Sequence, residues 1–150
     1  LHGGDGRDRL IGDAGSDTLQ GGQGRDVLRG GGDADHLEGG QGSDVLHGGA
    51  GRDVFVFDAP SGGWDRIADF AEGDLLAVRA ADYGLDPGAL PNTSYFATEG
   101  AADAGHGRFL HDISGQSLYW DADGIAATAN VLIAVFDLPV TLDAADFRIL

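Results

Sequence analysis

Six aspartates recur at intervals of nine: Asp8, Asp17, Asp26, Asp35, Asp44 and Asp53. Each is followed two residues later by a large apolar side chain, Leu10, Leu19, Leu28, Leu37, Leu46 and Phe55. Carboxylates on the short Asp side chain, repeated at one phase, are hard oxygen donors, and the chemistry they offer is cation binding. Nothing comparable points to catalysis. The five histidines (His2, His36, His47, His106, His111) show no His-Glu-x-x-His spacing, so a zinc-protease site is not predicted. His111-Asp112 lies near Ser114 and Ser117, but no Gly-x-Ser-x-Gly turn presents a nucleophile, and Ser-Gly-Gln-Ser is turn composition. No catalytic residue is assigned.

The 150-residue chain carries 25 acids (22 Asp, 3 Glu) against 9 Arg and no Lys, a formal net charge of −16. Binding phosphate requires clustered Lys and Arg, so neither nucleic acid nor an anionic membrane is an expected partner, and a cation is. There is no Cys, which excludes disulfides, thiolate metal sites and a cysteine nucleophile. No apolar run approaches the ~20 residues of a membrane helix, and nothing at the N-terminus reads as a signal peptide. A start at Leu1 rather than Met predicts a piece of a longer chain.

The elements that must position the aspartates follow from the repeat. Written in nines from Gly3, the chain reads GGDGRDRLI, GDAGSDTLQ, GGQGRDVLR, GGGDADHLE, GGQGSDVLH and GGAGRDVFV. Position one is always Gly, six always Asp, and eight always large and apolar. Positions two and four are Gly except for Asp13 and Asp33, and Asp is among the few residues that tolerate a left-handed backbone. The Gly-rich half turns with its carbonyls aimed inward; the three residues around position eight form a short strand with one apolar side chain inward. Two nonapeptides make one coil of a parallel β-helix, with the leucines stacked between two short sheets. One buried Leu per nine residues, at ~1.5–3 kcal/mol, does not offset ~1–2 kcal/mol of backbone ordering per residue. The stacked carboxylates, ~4.8 Å apart along the axis, repel one another unless cations lie between them. Cation binding is therefore the expected folding energy of residues 1–56. His36 and His47, at positions seven and nine, read as surface.

Residues 3–56 resemble the RTX family, whose G-G-x-G-x-D-x-U-x repeat forms a calcium-binding β-helix. The resemblance implies a parallel β-roll in which each Ca²⁺ lies between two turns. One turn supplies the carbonyls of positions two and four and its Asp; the turn two repeats on supplies the carbonyls of positions one and three and its Asp. On that scheme Gly4, Gly6 and Asp8 face Gly21, Gln23 and Asp26. Asp13, Gly15 and Asp17 face Gly30, Gly32 and Asp35. Gly22, Gly24 and Asp26 face Gly39, Gln41 and Asp44, while Gly31, Asp33 and Asp35 face Gly48, Ala50 and Asp53. Four complete sites result, with half-sites at Gly40, Gly42, Asp44 and at Gly49, Gly51, Asp53. RTX proteins also place an Asp-x-Ile-x-Asp-Phe segment after the repeats, matched here by residues 65–70. That makes Asp65 an expected terminal ligand, with Asp58 and Asp69 nearby.

Glycine thins out after Val56: 17 of the 27 lie in residues 1–56. The chain is thus expected to divide into a roll (1–56) and a C-terminal antiparallel β cap (57–150), an all-β fold. Expected strands are 66–70, 75–78, 108–112, 117–120, 131–136 and 147–150, with short helices or turns near 80–83 and 143–146. Ser114-Gly115 turns a hairpin, and Asp123-Gly124 begins another connection. Asp121 and Asp123 open like an EF-hand loop, but its twelfth position is Leu132 rather than Glu, so the hairpin reading prevails.

The chain closes Asp146-Phe147-Arg148-Ile149-Leu150, which resembles the C-terminal signal of proteins exported by type I ABC transporters. The resemblances imply a secreted bacterial protein without an N-terminal signal peptide. Its module folds on Ca²⁺ outside the cell and serves export and folding of an upstream domain. The alternative is a polysaccharide-binding module resembling the R-modules of alginate epimerases. An anionic polymer would want a basic groove, and neither residues 1–56 (10 acids, 5 Arg) nor 57–150 (15 acids, 4 Arg) is basic.

Overall fold

A computed structural model describes residues 1–85, 96–98, 108–122 and 130–150. The strands in chain order are β1 (His2–Gly6), β2 (Arg9–Ala14), β3 (Thr18–Gly24), β4 (Val27–Gly32), β5 (His36–Gly42), β6 (Val45–Ala50), β7 (Val54–Phe57), β8 (Asp65–Ile67), β9 (Leu75–Val78), β10 (Phe96–Thr98), β11 (Arg108–Asp112), β12 (Ser117–Asp121), β13 (Val131–Phe136) and β14 (Phe147–Ile149). Three 3-10 turns, Pro60–Gly62, Ala80–Tyr83 and Ala144–Asp146, complete the described elements. The fold is all-β: a parallel roll followed by antiparallel strands.

Each repeat strand pairs in parallel with the strand 18 residues on, as in Leu19↔Leu37 and Leu28↔Leu46. Alternate strands therefore build two sheets. One, all parallel, runs β1-β3-β5-β7-β9-β14; the other runs β2-β4-β6-β8-β13-β12-β11-β10. The strands are longer than the expected three residues, because most carry pairing into the glycine turn, as in Gly22↔Gly40. Position eight points inward throughout: Leu19, Leu28, Leu37, Leu46 and Phe55 are fully buried.

Parallel pairing continues past Val56. Val45 pairs with Arg66 and Val54 with Leu75, an offset of 21 residues rather than 18. Two further turns thus follow the six, three residues out of phase: residues 60–68, with Asp65 at position six and Ile67 at eight, and residues 69–77, with Asp74 and Leu76 there. Ile67 and Leu76 are fully buried, extending the leucine columns.

The remaining strands cover the open end of the roll. β13 adds in parallel to β8, and β14 adds in parallel to β9. The expected hairpin forms, with β11 antiparallel to β12 and Arg108 opposite Asp121; β12 then pairs antiparallel with β13. Above the thin leucine core sits an aromatic one. Tyr83 meets Trp120 edge-on at 5.2 Å, Phe109 lies 4.8 Å from Trp120, and Phe70 bridges Phe55 to Phe136. Such pairs contribute about 0.5–1.5 kcal/mol each beyond their burial. By pairing the edges of β8 and β9, the cap also removes exposed strand edges that would invite aggregation.

Alternation sorts the outward residues by sheet. Strands β2, β4, β6 and β8 present Arg9, Val27, Val45 and Arg66 at position seven, and Ile11, Arg29 and His47 at position nine. The facing sheet presents Thr18, His36, Gln20 and Glu38 over its first coils. There Arg79 binds Glu38 at 2.8 Å and Asp58 at 2.7 Å.

Candidate metal centre

The aspartates of position six form two ladders, one on each edge of the roll. On the first, the backbone N–H of Asp8 donates to Asp26 Oδ1 (2.8 Å), that of Asp26 to Asp44 Oδ1 (2.7 Å) and that of Asp44 to Asp65 Oδ1 (3.1 Å). On the second, Asp17 donates to Asp35 (2.8 Å), Asp35 to Asp53 (2.9 Å) and Asp53 to Asp74 (2.9 Å). One carboxylate oxygen thus fixes each of Asp26, Asp35, Asp44, Asp53, Asp65 and Asp74 to the turn before it. The other oxygen, Oδ2, is buried without a hydrogen-bond partner in Asp8, Asp17, Asp26, Asp35, Asp44 and Asp53. Burying an unpaired anionic oxygen is costly, and six in register call for cations.

Glycine at position one leaves the space. A methyl placed on Gly21 would sit 2.5 Å from both Asp26 Oδ2 and the Gly39 carbonyl oxygen. On Gly12 it would lie 2.6 Å from Asp17 Oδ2 and from the Gly30 carbonyl; on Gly3, 2.8 Å from Asp8 Oδ2 and 2.6 Å from the Gly21 carbonyl. Gly30 repeats the arrangement with Asp35 Oδ2 and the Gly48 carbonyl. At Gly39 and Gly48 the three nearest atoms are those of Asp44 and Asp53 alone. Four convergences of free carboxylate oxygen and next-turn carbonyl therefore separate from two incomplete ones.

All twelve residues at positions two and four have positive φ, including Asp13 (71°) and Asp33 (69°). The carbonyls of Gly4, Gly6, Asp13, Gly22 and Gly24 consequently point along the axis at Gly22, Gly24, Gly31, Gly40 and Gly42 of the next turn. Gln23, Gln41 and Ala50, at position three, are exposed, so only their backbone is available to an ion. Among the described residues, no three His, Cys, Asp or Glu side chains converge on one point. The donor set is two carboxylates at most with several carbonyls, all hard oxygen, which fits Ca²⁺ with its six to eight oxygen ligands.

Electrostatics agree. Burial, followed by neighbouring carboxylates such as Asp17, Asp33 and Asp74, raises Asp35 and Asp53 above the ordinary carboxylate range. Asp44 and Asp65, stacked on one edge, are both raised, first by burial and then by like charges nearby. A divalent ion relieves both effects.

Of the acids after the repeats, Asp65 is buried in the ladder. Gly63, at positive φ, stacks on Gly42 as Gly42 stacks on Gly24. Asp69 instead accepts the N–H groups of Gly48 (2.9 Å) and Gly49 (3.1 Å). Asp58 is tied to Arg79, and its carbonyl accepts the Tyr83 hydroxyl at 2.7 Å. The sequence reading missed Asp74, buried on the second ladder. Its signal was present: Asp65 and Asp74 are nine apart and each has a large apolar residue two positions on. Asp74 Oδ2, however, accepts the N–H of Ala71 at 2.9 Å.

The groups considered for other chemistry have structural partners. Arg108 and Asp121 form a buried ion pair at 3.5 Å; Asp123 lies outside the described residues. His111 is fully buried, and its Nδ1 accepts the Leu142 N–H at 3.4 Å. Asp112 accepts the Ser114 hydroxyl (2.7 Å) and the Gly115 N–H (2.9 Å), as a turn residue does. Asp146 closes a capping box with Asp143, and β14 is the last strand of its sheet.

A family model described as the RTX calcium-binding nonapeptide repeat, in four copies, matches residues 2–37 and 29–59. Residues 2–59, the first six turns of the roll, match RTX calcium-binding repeats. In solved structures, the RTX roll and its cap together are similar to the AlgE6R2 subunit of the Azotobacter vinelandii mannuronan C5-epimerase, determined in solution. The TM-score is 0.51 at 23% identity, covering 99% of this chain and 91% of that one. At that identity the likeness speaks for the fold, RTX-type roll and cap alike. No curated protein sequence matches the chain.

Proposed function

We propose that this RTX module is a calcium-triggered folding unit that serves the export and extracellular folding of a larger bacterial protein. The observation that carries the reading is the set of six buried, unpartnered Asp Oδ2 atoms on two ladders. Such a roll is poorly stable at the low calcium of a cytosol and forms at the millimolar calcium outside, where bound Ca²⁺ neutralises the stacked carboxylates. We assign four ions to the sets headed by Asp8, Asp17, Asp26 and Asp35. Asp65 completes a fifth with Gly40, Gly42 and Asp44, for which the ladder bond from Asp44 to Asp65 is the support. In this reading residues 1–56 take up the metal, with Asp65 completing their last site, and the remainder of residues 57–150 extends and closes the roll.

Residues 146–150 are proposed as the signal for a type I ABC exporter. The chain would pass unfolded, which its charge of −16 favours by keeping it extended and soluble. The test is export from a bacterial host that carries a type I exporter. Scrambling residues 146–150 should leave the protein in the cell, and undiminished export would contradict the assignment.

A further inference from the structure

Neither the aspartate ladders nor the ion pairs use His111, which is fully buried on β11. Its Nδ1 accepts the backbone N–H of Leu142 at 3.4 Å, so the ring is neutral and carries its proton on Nε2. Nε2 is itself buried, without a hydrogen-bond partner among the described residues. The imidazole stands edge-on to Phe136, with ring centres 6.3 Å apart.

Leu142 lies in the segment that leads from β13 to β14. Val140 and Leu142 are buried there, and the Val140 N–H donates to the Gln116 side-chain oxygen at 2.6 Å. The turn Ala144–Asp146 follows, and then β14, which adds to β9 and sets Phe147 at 5.2 Å from Phe109. The bond between His111 and Leu142 thus ties the approach to the last strand to the β11–β12 hairpin.

We propose that His111 is an acid-sensitive latch: once protonated, it releases residues 138–150, and β14 with them, from the end of the roll. The added proton must enter at Nδ1. An N–H then faces the N–H of Leu142, and the bond that seats the segment becomes a contact between two donors. The buried imidazolium also finds no acid free to pair with it, which makes the closed cap costly. On its own strand, Asp112 is turned to the Ser114 hydroxyl and the Gly115 N–H, and Arg108 pairs with Asp121 of β12. In the closing turn Asp146 accepts the Asp143 N–H, and Asp143 accepts the Ala145 N–H. β10 and β12 set Thr98 and Leu118 beside the histidine, and β13 sets Phe136 there. Asp137, which follows β13, is held by Arg66 at 2.6 Å, and Arg148 of β14 is exposed.

Burial pushes the imidazole below its ordinary range, and Asp112 and Asp146 offset this only in part. A released His111 takes its proton near the ordinary value of about 6.5, whereas the buried one resists it. Closure is therefore fully favoured above about pH 6.5 and weakens as the pH falls from there toward the lowered value of the closed cap. Burial raises the aspartates of the roll instead, so acid acts on cap and roll with opposite signs.

The test uses the full chain in saturating calcium, with far-ultraviolet circular dichroism on every sample to report the roll. In a W64F background Trp120 is the one tryptophan; buried against Tyr83 and Phe109, it reports the cap. Urea unfolding of the cap is followed on both sides of the ordinary histidine value of about pH 6.5. Uptake of one proton on release should lower the closure constant by up to about tenfold per pH unit below that value. H111N keeps an oxygen for the Leu142 N–H and takes no proton, so it should lose most of this dependence. A parent cap indifferent to pH overturns the latch, and so does an H111N cap that follows the parent. If H111N does not fold, the His111 ring of the parent decides by nuclear magnetic resonance. Its protonation should coincide with loss of exchange protection at the Leu142 amide; a ring that titrates at about pH 6.5 while that amide stays protected overturns the latch. These outcomes leave the calcium reading standing, whereas a chain that forms no sheet in calcium overturns both.

Discussion

Replacing Asp35 with Ala should weaken calcium-dependent folding far more than replacing Asp8, although both occupy position six. Asp35 sits mid-ladder: its Oδ1 accepts the Asp17 N–H at 2.8 Å, and its Oδ2 lies beside the Gly48 carbonyl on the following turn. It can therefore serve an ion on each side. Its loss leaves the Asp17 N–H without an acceptor, which costs about 1–3 kcal/mol, and removes a charged ligand from two sites, at roughly 1.5–3 kcal/mol on the scale of a charge-assisted bond. Counting both sites, the sum is on the order of 6 kcal/mol; shared among four ions taken up as the roll folds, it raises the half-saturating calcium concentration by roughly one decade. Asp8 lies at the first turn, where no earlier N–H depends on it, and serves one site; its loss should raise that concentration only about twofold. Asp35→Asn, which keeps an oxygen for the Asp17 N–H, should fall between the two. The assay is a calcium titration of sheet content by circular dichroism for the three variants. Equal shifts for D35A and D8A would refute the bridging ladder.

Gly21→Ala should abolish the site between Asp26 and Gly39, because the methyl would lie 2.5 Å from both oxygens; calcium counted by calorimetry should fall by one ion. Asp65→Ala should lower the melting temperature of the calcium-loaded form by several degrees, since the buried Asp44 N–H loses its acceptor at about 1–3 kcal/mol; an unchanged melting temperature would contradict its place in the ladder. Acidification should promote folding of the calcium-free chain. Asp35, Asp53 and Asp74 are all raised by burial, so the folded state binds more protons than the unfolded one. Their contribution favours the fold at low pH and is lost as pH rises through the raised values. Sheet content in calcium-depleted buffer should grow as the pH is lowered from neutrality, and a flat profile would contradict the sign.

The six in-phase repeats made the roll legible because one rule governs both local conformation and packing: glycine where φ must be positive, Asp where the turn needs a carboxylate, Leu where the sheets meet. The hairpin across Ser114-Gly115 and the strands 75–78, 108–112 and 131–136 were legible from alternation, and the structure keeps those bounds. The seventh and eighth turns were not. Three extra residues shift their phase, and their backbones do without most of the glycine. What remains is Asp65-Arg66-Ile67 and Asp74-Leu75-Leu76, whose Asp and apolar spacing is the repeat's own.

The central claim is that cations complete this fold, and circular dichroism of the whole chain tests it most directly. With chelator the chain should show little sheet; added Ca²⁺ should bring it in cooperatively, and Mg²⁺, which demands a tighter octahedron, should substitute poorly. Equal sheet content in chelator and in calcium would contradict the account.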